Sequence, residues 1–118
     1  MLTIKEKGII IYIIKHCERV EEKIKDIPFD TFYNNDDIKE IVCFNILQIG
    51  ELAKGLSTEF LTKYNEMPWK DIKGMRDWVA HGYGTIDLDR VWKTAVEDIK
   101  SLREYCESIL KENKWNVR

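Results

Sequence analysis

Between residues 88 and 109 the chain sets Leu88, Trp92, Ala95, Ile99, Leu102, Cys106 and Ile109 in alternating steps of four and three, with mostly charged and polar residues between them. That rhythm is the apolar stripe of a helix lying on a core; a strand would bury every second residue instead. The same spacing recurs in Ile10, Ile13, Cys17, Val20, Ile24 and Ile27, and again in Ile38, Val42, Asn45, Ile49, Leu52 and Leu56. A shorter stripe is formed by Ile72, Met75, Val79 and Ala80. No strand-like alternation of useful length, internal repeat or low-complexity segment interrupts these runs. The pattern predicts an all-α fold, an antiparallel up-and-down bundle of four to five helices with short connections.

Local signals place the boundaries. The first helix is expected from about Thr3 to Asp26, stopped by Pro28, with a polar loop from Asp30 to Asp37. Asp37 and Glu40 have the spacing of a capping box for the second helix. That helix breaks near Leu56 and Ser57, and a helical turn is expected over Thr58 to Tyr64. Pro68 suits the first position of the third long helix, where a missing N–H costs nothing, and Gly82 and Gly84 suit its end. Asp87 is placed to cap the last helix.

With 118 residues the chain is read as one domain, 1–118, large enough for a single core. Hydrophobic residues at 44% and charged residues at 34% describe a globular protein. The densest apolar run, Gly8 to Ile14, falls far below the roughly 20 residues of a membrane span, and no cleavage signal follows it. A cytoplasmic location with no membrane partner is the expectation. Cys17, Cys43 and Cys106 are widely spaced and odd in number, which suits small core residues better than a disulfide framework. A net charge of −2 gives no global signature of nucleic-acid binding, so any such contact must be local. Histidine pairs and acidic clusters with metal-ligand spacing are missing, and no cofactor is expected. His16, between Lys15 and Cys17, reads as a surface residue.

One segment departs from the stripe. Arg76 falls on the margin of the face set by Ile72, Met75, Val79 and Ala80. A partly desolvated guanidinium there needs a carboxylate, backbone carbonyls or a bound phosphate. Glu51 and Asp77 are the carboxylates in view, and a purely structural ion pair is one reading. Five residues on stands His81, about 140° around a regular helix from Arg76, so convergence requires a turn at Gly82 or a second copy of the chain. Gly74 and Trp78 share the outward face with His81 and form a candidate helix-to-helix dimer contact. A histidine that titrates near neutrality can remove or return the proton of a ribose 2′-hydroxyl, and an arginine fork complements the phosphorane that its attack creates. Near a helix C-terminus, however, His81 can equally serve as a cap. Tyr83 adds a third polar group. Lys70 and Lys73 continue the row from Arg76 and are candidates for an RNA backbone. Asn45 interrupts the second stripe, either as a satisfied core amide or as a neighbour of the Arg/His cleft.

The ordered elements Gln48-Ile49-Gly50-Glu51-Leu52-Ala53-Lys54, Pro68-Trp69, Gly74-Met75-Arg76-Asp77, Val79-Ala80-His81-Gly82-Tyr83 and Val91-Trp92 together resemble the HepT-like (DUF86) family of the HEPN superfamily. The likeness covers roughly residues 38 to 110; the first helix matches in type only. It implies a HEPN-like bundle that acts as a homodimer, with paired R-x4-H motifs forming one composite cleft. It further implies a metal-independent endoribonuclease toxin of a type VII toxin–antitoxin pair, with RNA as substrate and Arg76 and His81 as the catalytic pair. Tyr83 falls where the cognate nucleotidyltransferase antitoxin of the minimal MNT type attaches AMP. A non-catalytic protein of the same fold, binding nucleotide or RNA or serving dimerisation, is the alternative. Two departures stand out: Asp77 follows the arginine where many relatives have Asn, and Gly82 precedes the tyrosine where a larger residue is common. A carboxylate at 77 is placed to pair with Arg76 or to raise the His81 pKa.

Overall fold

The computed structural model describes residues 2–81 and 87–114; of Ala80 and His81 only the backbone is described. All regular structure in these residues is helical. Four long rods carry the bundle. They are α1 (Ile4–Ile24), α3 (Asp36–Ala53), α5 (Trp69–His81), and a last rod in which α6 (Leu88–Lys93), a π-helical turn (Thr94–Asp98) and α7 (Ile99–Glu112) run on without a break. The short helices α2 (Phe29–Tyr33) and α4 (Thr58–Lys63) fill two of the connections. No described helix is long and apolar enough to cross a membrane.

The rods pack in the order α5, α3, α1, α7, so α3 is held between α1 and α5. The stripes read from the sequence form the core: Ile10, Ile13, Cys17, Val42, Ile46, Ile49, Ile99, Leu102 and Cys106 are all buried. All three cysteines are unpaired and buried. Burial pushes the Cys43 thiol up to about 11 and raises those of Cys17 and Cys106 as well, so none is nucleophilic at neutral pH. On the flank, Arg103 of α7 reaches Glu21 of α1 at 2.5 Å through Nε and Glu107 of its own helix at 2.8 Å through Nη1, tying α7 to α1.

Two aromatic corners fix the ends. Phe32 is wholly buried, and its ring centroid lies 5.1 Å from that of Trp92, with Phe29 edge-on to the same indole. This anchor makes α2 a helix inside the stretch Asp30 to Asp37, where polar composition suggests a loop. The cap of α3 also differs from the expected Asp37: Asn35 accepts the Ile38 N–H at 3.0 Å, and Asp36 and Asp37 lie inside the first turn, where negative charge meets the helix dipole. At the opposite corner Phe60, Tyr64, Trp69 and Tyr105 interlock, and the Trp69 indole N–H donates to the Tyr64 carbonyl at 2.8 Å. Pro68 stands just before α5, its carbonyl accepting from the Asp71 and Ile72 N–H groups. Asp87 caps α6 as expected, by accepting from Arg90 N–H.

His16 is a correction to the surface reading. Its Nδ1 lies 2.6 Å from Asn45 Oδ1, and the Asn45 amide in turn donates to the Ile41 carbonyl at 2.7 Å. Asn45 is 2% exposed, so the contact with His16 supplies a partner for the buried amide oxygen, the amide nitrogen being satisfied within α3.

The start of α1 depends on a buried carboxylate. Thr3 and Glu6 form a reciprocal capping box, and the other Glu6 oxygen accepts the Ser57 hydroxyl at 2.6 Å, joining the first helix to the cap of α4. Burial raises the Glu6 pKa, but the hydrogen bonds from Ser57 and Thr3 outweigh it and leave the value below the ordinary 4.5. A depressed carboxylate stabilises the fold above its unfolded pKa and loses that contribution as pH falls through the folded value. Glu6→Gln is therefore expected to lower stability by about 1 kcal/mol at pH 7. Urea denaturation of both proteins at pH 7 and at pH 3 checks this: the gap should narrow in acid, and a gap independent of pH would contradict the assignment.

Candidate functional site

The three residues Ile49, Gly50 and Glu51 do three different jobs on successive positions of α3. Ile49 is fully buried in the core. Gly50 faces α5 at such close range that a Cβ built on it would stand 2.6 Å from the Arg76 backbone nitrogen and 2.9 Å from the Arg76 Cβ. Only glycine lets the two backbones meet there. Glu51, one residue on, then finds the Arg76 guanidinium within reach.

Arg76 Nε lies 2.8 Å from Glu51 Oε1, and its Nη1 lies 3.5 Å from Asp77 Oδ1. The Nε–H does not point along the line to Glu51, so the contact is an ion pair, and this nitrogen has no aligned hydrogen-bond partner among the described residues. Lys54 Nζ completes the set at 3.5 Å from Glu51 and 3.6 Å from Asp77. Two cations and two carboxylates thus form a neutral quartet at the α3–α5 crossing. The Arg76 side chain is 37% exposed, the half-desolvated position its place on the stripe margin predicts. At this exposure each ion pair contributes about 1 kcal/mol or less, and an incoming phosphate can displace a carboxylate cheaply.

α5 stays helical through the His81 backbone, so the Cα atoms of Arg76 and His81 stand about 140° apart around one regular helix. Gly82, Tyr83 and Gly84 lie outside the described residues. Trp78 is not the outward anchor its spacing suggests: it is half-buried against the core, and the Arg90 guanidinium covers its ring at 4.1 Å. Asn45 is engaged with His16 rather than with Arg76. Lys70 and Lys73 line a groove with Lys54, Gly74 and Asp77 beside the quartet. Lys54 was not among the residues singled out from sequence; its i,i+3 spacing from Glu51 is the signal that marks it. Among the described residues no group of three or more His, Cys, Asp or Glu side chains is placed to hold a metal ion.

The model of the HepT-like family, described as ribonuclease HepT-like, matches residues 13–109. The chain belongs to the HepT-like family. A relative from Caldanaerobacter subterraneus subsp. tengcongensis, named as a candidate RNase, is 32% identical over 87% of this chain and 92% of its own length. A Methanocaldococcus jannaschii protein, named as a gamma-glutamylcyclotransferase and candidate RNase, is 36% identical over 90% of this chain; there the chain spans 50% of the relative. A protein named as a candidate ribonuclease HepT from Thermococcus cleftensis is 32% identical over 84% of this chain and 90% of its own length. No solved structure matches the chain.

The two glycines of this HepT-like site separate by experiment. Gly50→Ala is expected to lower stability by about 1–3 kcal/mol, because backbone atoms must move to admit the methyl group. A Cβ at Gly74 meets nothing within 4 Å, so Gly74→Ala should be neutral or stabilising by up to about 1 kcal/mol. Urea midpoints decide the matter; a Gly50→Ala protein as stable as wild type would refute the close crossing.

Proposed function

We propose that this chain is a metal-independent endoribonuclease that works as a homodimer. The observation that carries the reading is the Arg76 guanidinium, half-exposed at the α3–α5 crossing and held by carboxylates that an anion can replace, five residues before a histidine on the same helix. Family membership supports the reaction class, and the relatives named as candidate RNases support RNA as substrate.

In this reading a phosphodiester displaces Glu51 or Asp77 from Arg76. His81 takes the proton of the 2′-hydroxyl, whose oxygen attacks the adjacent phosphorus and expels the 5′-oxygen, which leaves with a proton. The products are a 2′,3′-cyclic phosphate and a free 5′-hydroxyl. The arginine fork stabilises the charge that builds on the phosphorane oxygens. Because the Cα atoms of Arg76 and His81 stand about 140° apart around one helix, a second chain supplies the complementary pair in this reading, which ties catalysis to the dimer.

The finer reading is a toxin whose Tyr83 is adenylylated by a partner nucleotidyltransferase antitoxin of the MNT type. Attached AMP would add negative charge and bulk to the chain, excluding RNA by repulsion and occlusion. The competing reading, a non-catalytic binding or dimerisation protein of the same fold, draws on the fact that the Arg76 charge is already matched by Glu51 and Asp77.

Purified protein is expected to cleave cellular RNA in EDTA and leave cyclic phosphate ends. His81→Ala and Arg76→Ala should each lower the rate by at least 100-fold while circular dichroism stays helical. Equal inertness of wild type and His81→Ala would favour the binding reading. For the modification, intact mass after co-expression with the nucleotidyltransferase should rise by whole AMP units, and Tyr83→Phe should abolish the rise; an unchanged wild-type mass sinks this part alone.

A further inference from the structure

Gly74 sits in the interior of α5, where glycine costs about 0.5–1 kcal/mol relative to alanine. Unlike at Gly50, no neighbour among the described residues asks for it: a Cβ there would meet none of their atoms within 4 Å. It lines an open groove of about 560 Å³ together with Lys54, Lys70, Lys73 and Asp77 and with the apolar side chains Leu61 and Met67. Neither Lys70 nor Lys73 has an ion pair among the described residues. The groove runs straight into the quartet, because Lys54 and Asp77 belong to both.

On α5 the residues at 70, 73, 74 and 77 share one face, and each three-residue step advances about 4.5 Å along the axis. Lys70, Lys73 and then Arg76 follow at three-residue steps, each turned about 60° from the last, so the cations wind from the groove round to the quartet that holds Arg76. A row of cations beside an apolar wall, without a deep pocket, is what a single nucleic-acid strand needs: charge for the backbone and apolar surface for the bases. In a chain of net charge −2 this local excess is the feature that answers the absence of any global basic signature.

We propose that this groove seats the single-stranded RNA segment adjoining the cleaved phosphodiester, with Gly74 kept bare so that the strand can lie against the α5 backbone. The proposal rests on the ribonuclease reading and is tested by binding, so that the two fail separately. The probe is a fluorescent ten-nucleotide oligomer with 2′-O-methyl groups throughout, which lacks the attacking hydroxyl. Binding to wild type is measured by anisotropy across a salt series.

Gly74→Phe, which fills the groove, should weaken binding at least 10-fold. Lys70→Gln combined with Lys73→Gln should weaken it too and reduce the slope of log K against log salt by about 1.4, at about 0.7 per phosphate contact. Lys25→Gln combined with Lys100→Gln, on the α1 and α7 flank away from the groove, should leave the slope unchanged. Should Gly74→Phe fail to fold, the paired glutamine variants still decide.

The proposal is overturned if wild type does not bind the oligomer, if the groove variants bind as wild type does, or if the flank pair loses as much as the groove pair. It is equally overturned if Gly74→Phe changes only the oligomeric state in light scattering and leaves RNA affinity intact, since the face would then be a contact between copies. Cleavage of unmodified RNA by wild type is scored in parallel. Its absence removes the ribonuclease reading, whereas cleavage with no effect of the groove variants on binding removes only the groove.

Discussion

The crossing of α3 and α5 at Gly50 is the constraint from which the candidate site follows. Because no Cβ intervenes, the backbones approach until a methyl group would lie 2.6 Å from the Arg76 nitrogen. That approach fixes where Arg76 leaves α5 and brings Glu51 within 2.8 Å of its guanidinium. With any larger residue at 50 the helices would stand further apart, and the arginine would lose its carboxylate partner to solvent. A packing requirement and an electrostatic one are thus met by adjacent residues on one turn of helix.

Much of this was legible in the sequence because helix stripes are periodic. The long rods, the buried cysteines and the Asp87 cap all follow from spacing and local chemistry, and the ion pairing of Arg76 with Glu51 and Asp77 was one of the readings its stripe position left open; Pro68 stands one residue before α5 rather than at its first position. What spacing could not convey is contact between distant segments. The helix at Phe29–Tyr33 exists because Trp92, some sixty residues later, offers its ring to Phe29 and Phe32. The His16 bond to Asn45 likewise joins residues 29 apart in sequence, and neither residue alone signals it. The π-helical turn at Thr94–Asp98 is invisible to a three-four count, since the stripe resumes on the far side.

The short helices matter more than their length suggests. Alone, five or six residues cannot hold a helix in water, and here each is secured by aromatic rings at a corner of the bundle. The corner at Trp69 also sets where α5 begins, through the indole hydrogen bond to Tyr64. From that fixed start Arg76 follows about two turns later, so the corner and the Gly50 crossing locate the same side chain from two directions.

The neutral quartet of Arg76, Lys54, Glu51 and Asp77 has a thermodynamic consequence for any polyanion that docks there. An isolated cation that meets a phosphate expels a small ion from the nucleic acid, and the entropy of that release makes affinity steeply dependent on salt. Arg76 already holds a tethered anion. When phosphate takes its place, the displaced carboxylate stays tethered nearby beside Lys54, so the net positive charge brought to the phosphate, and the release of small ions with it, is small. In the proposed complex Arg76 would therefore discriminate by geometry, largely indifferent to ionic strength, while the electrolyte sensitivity would reside in cations that have no carboxylate of their own.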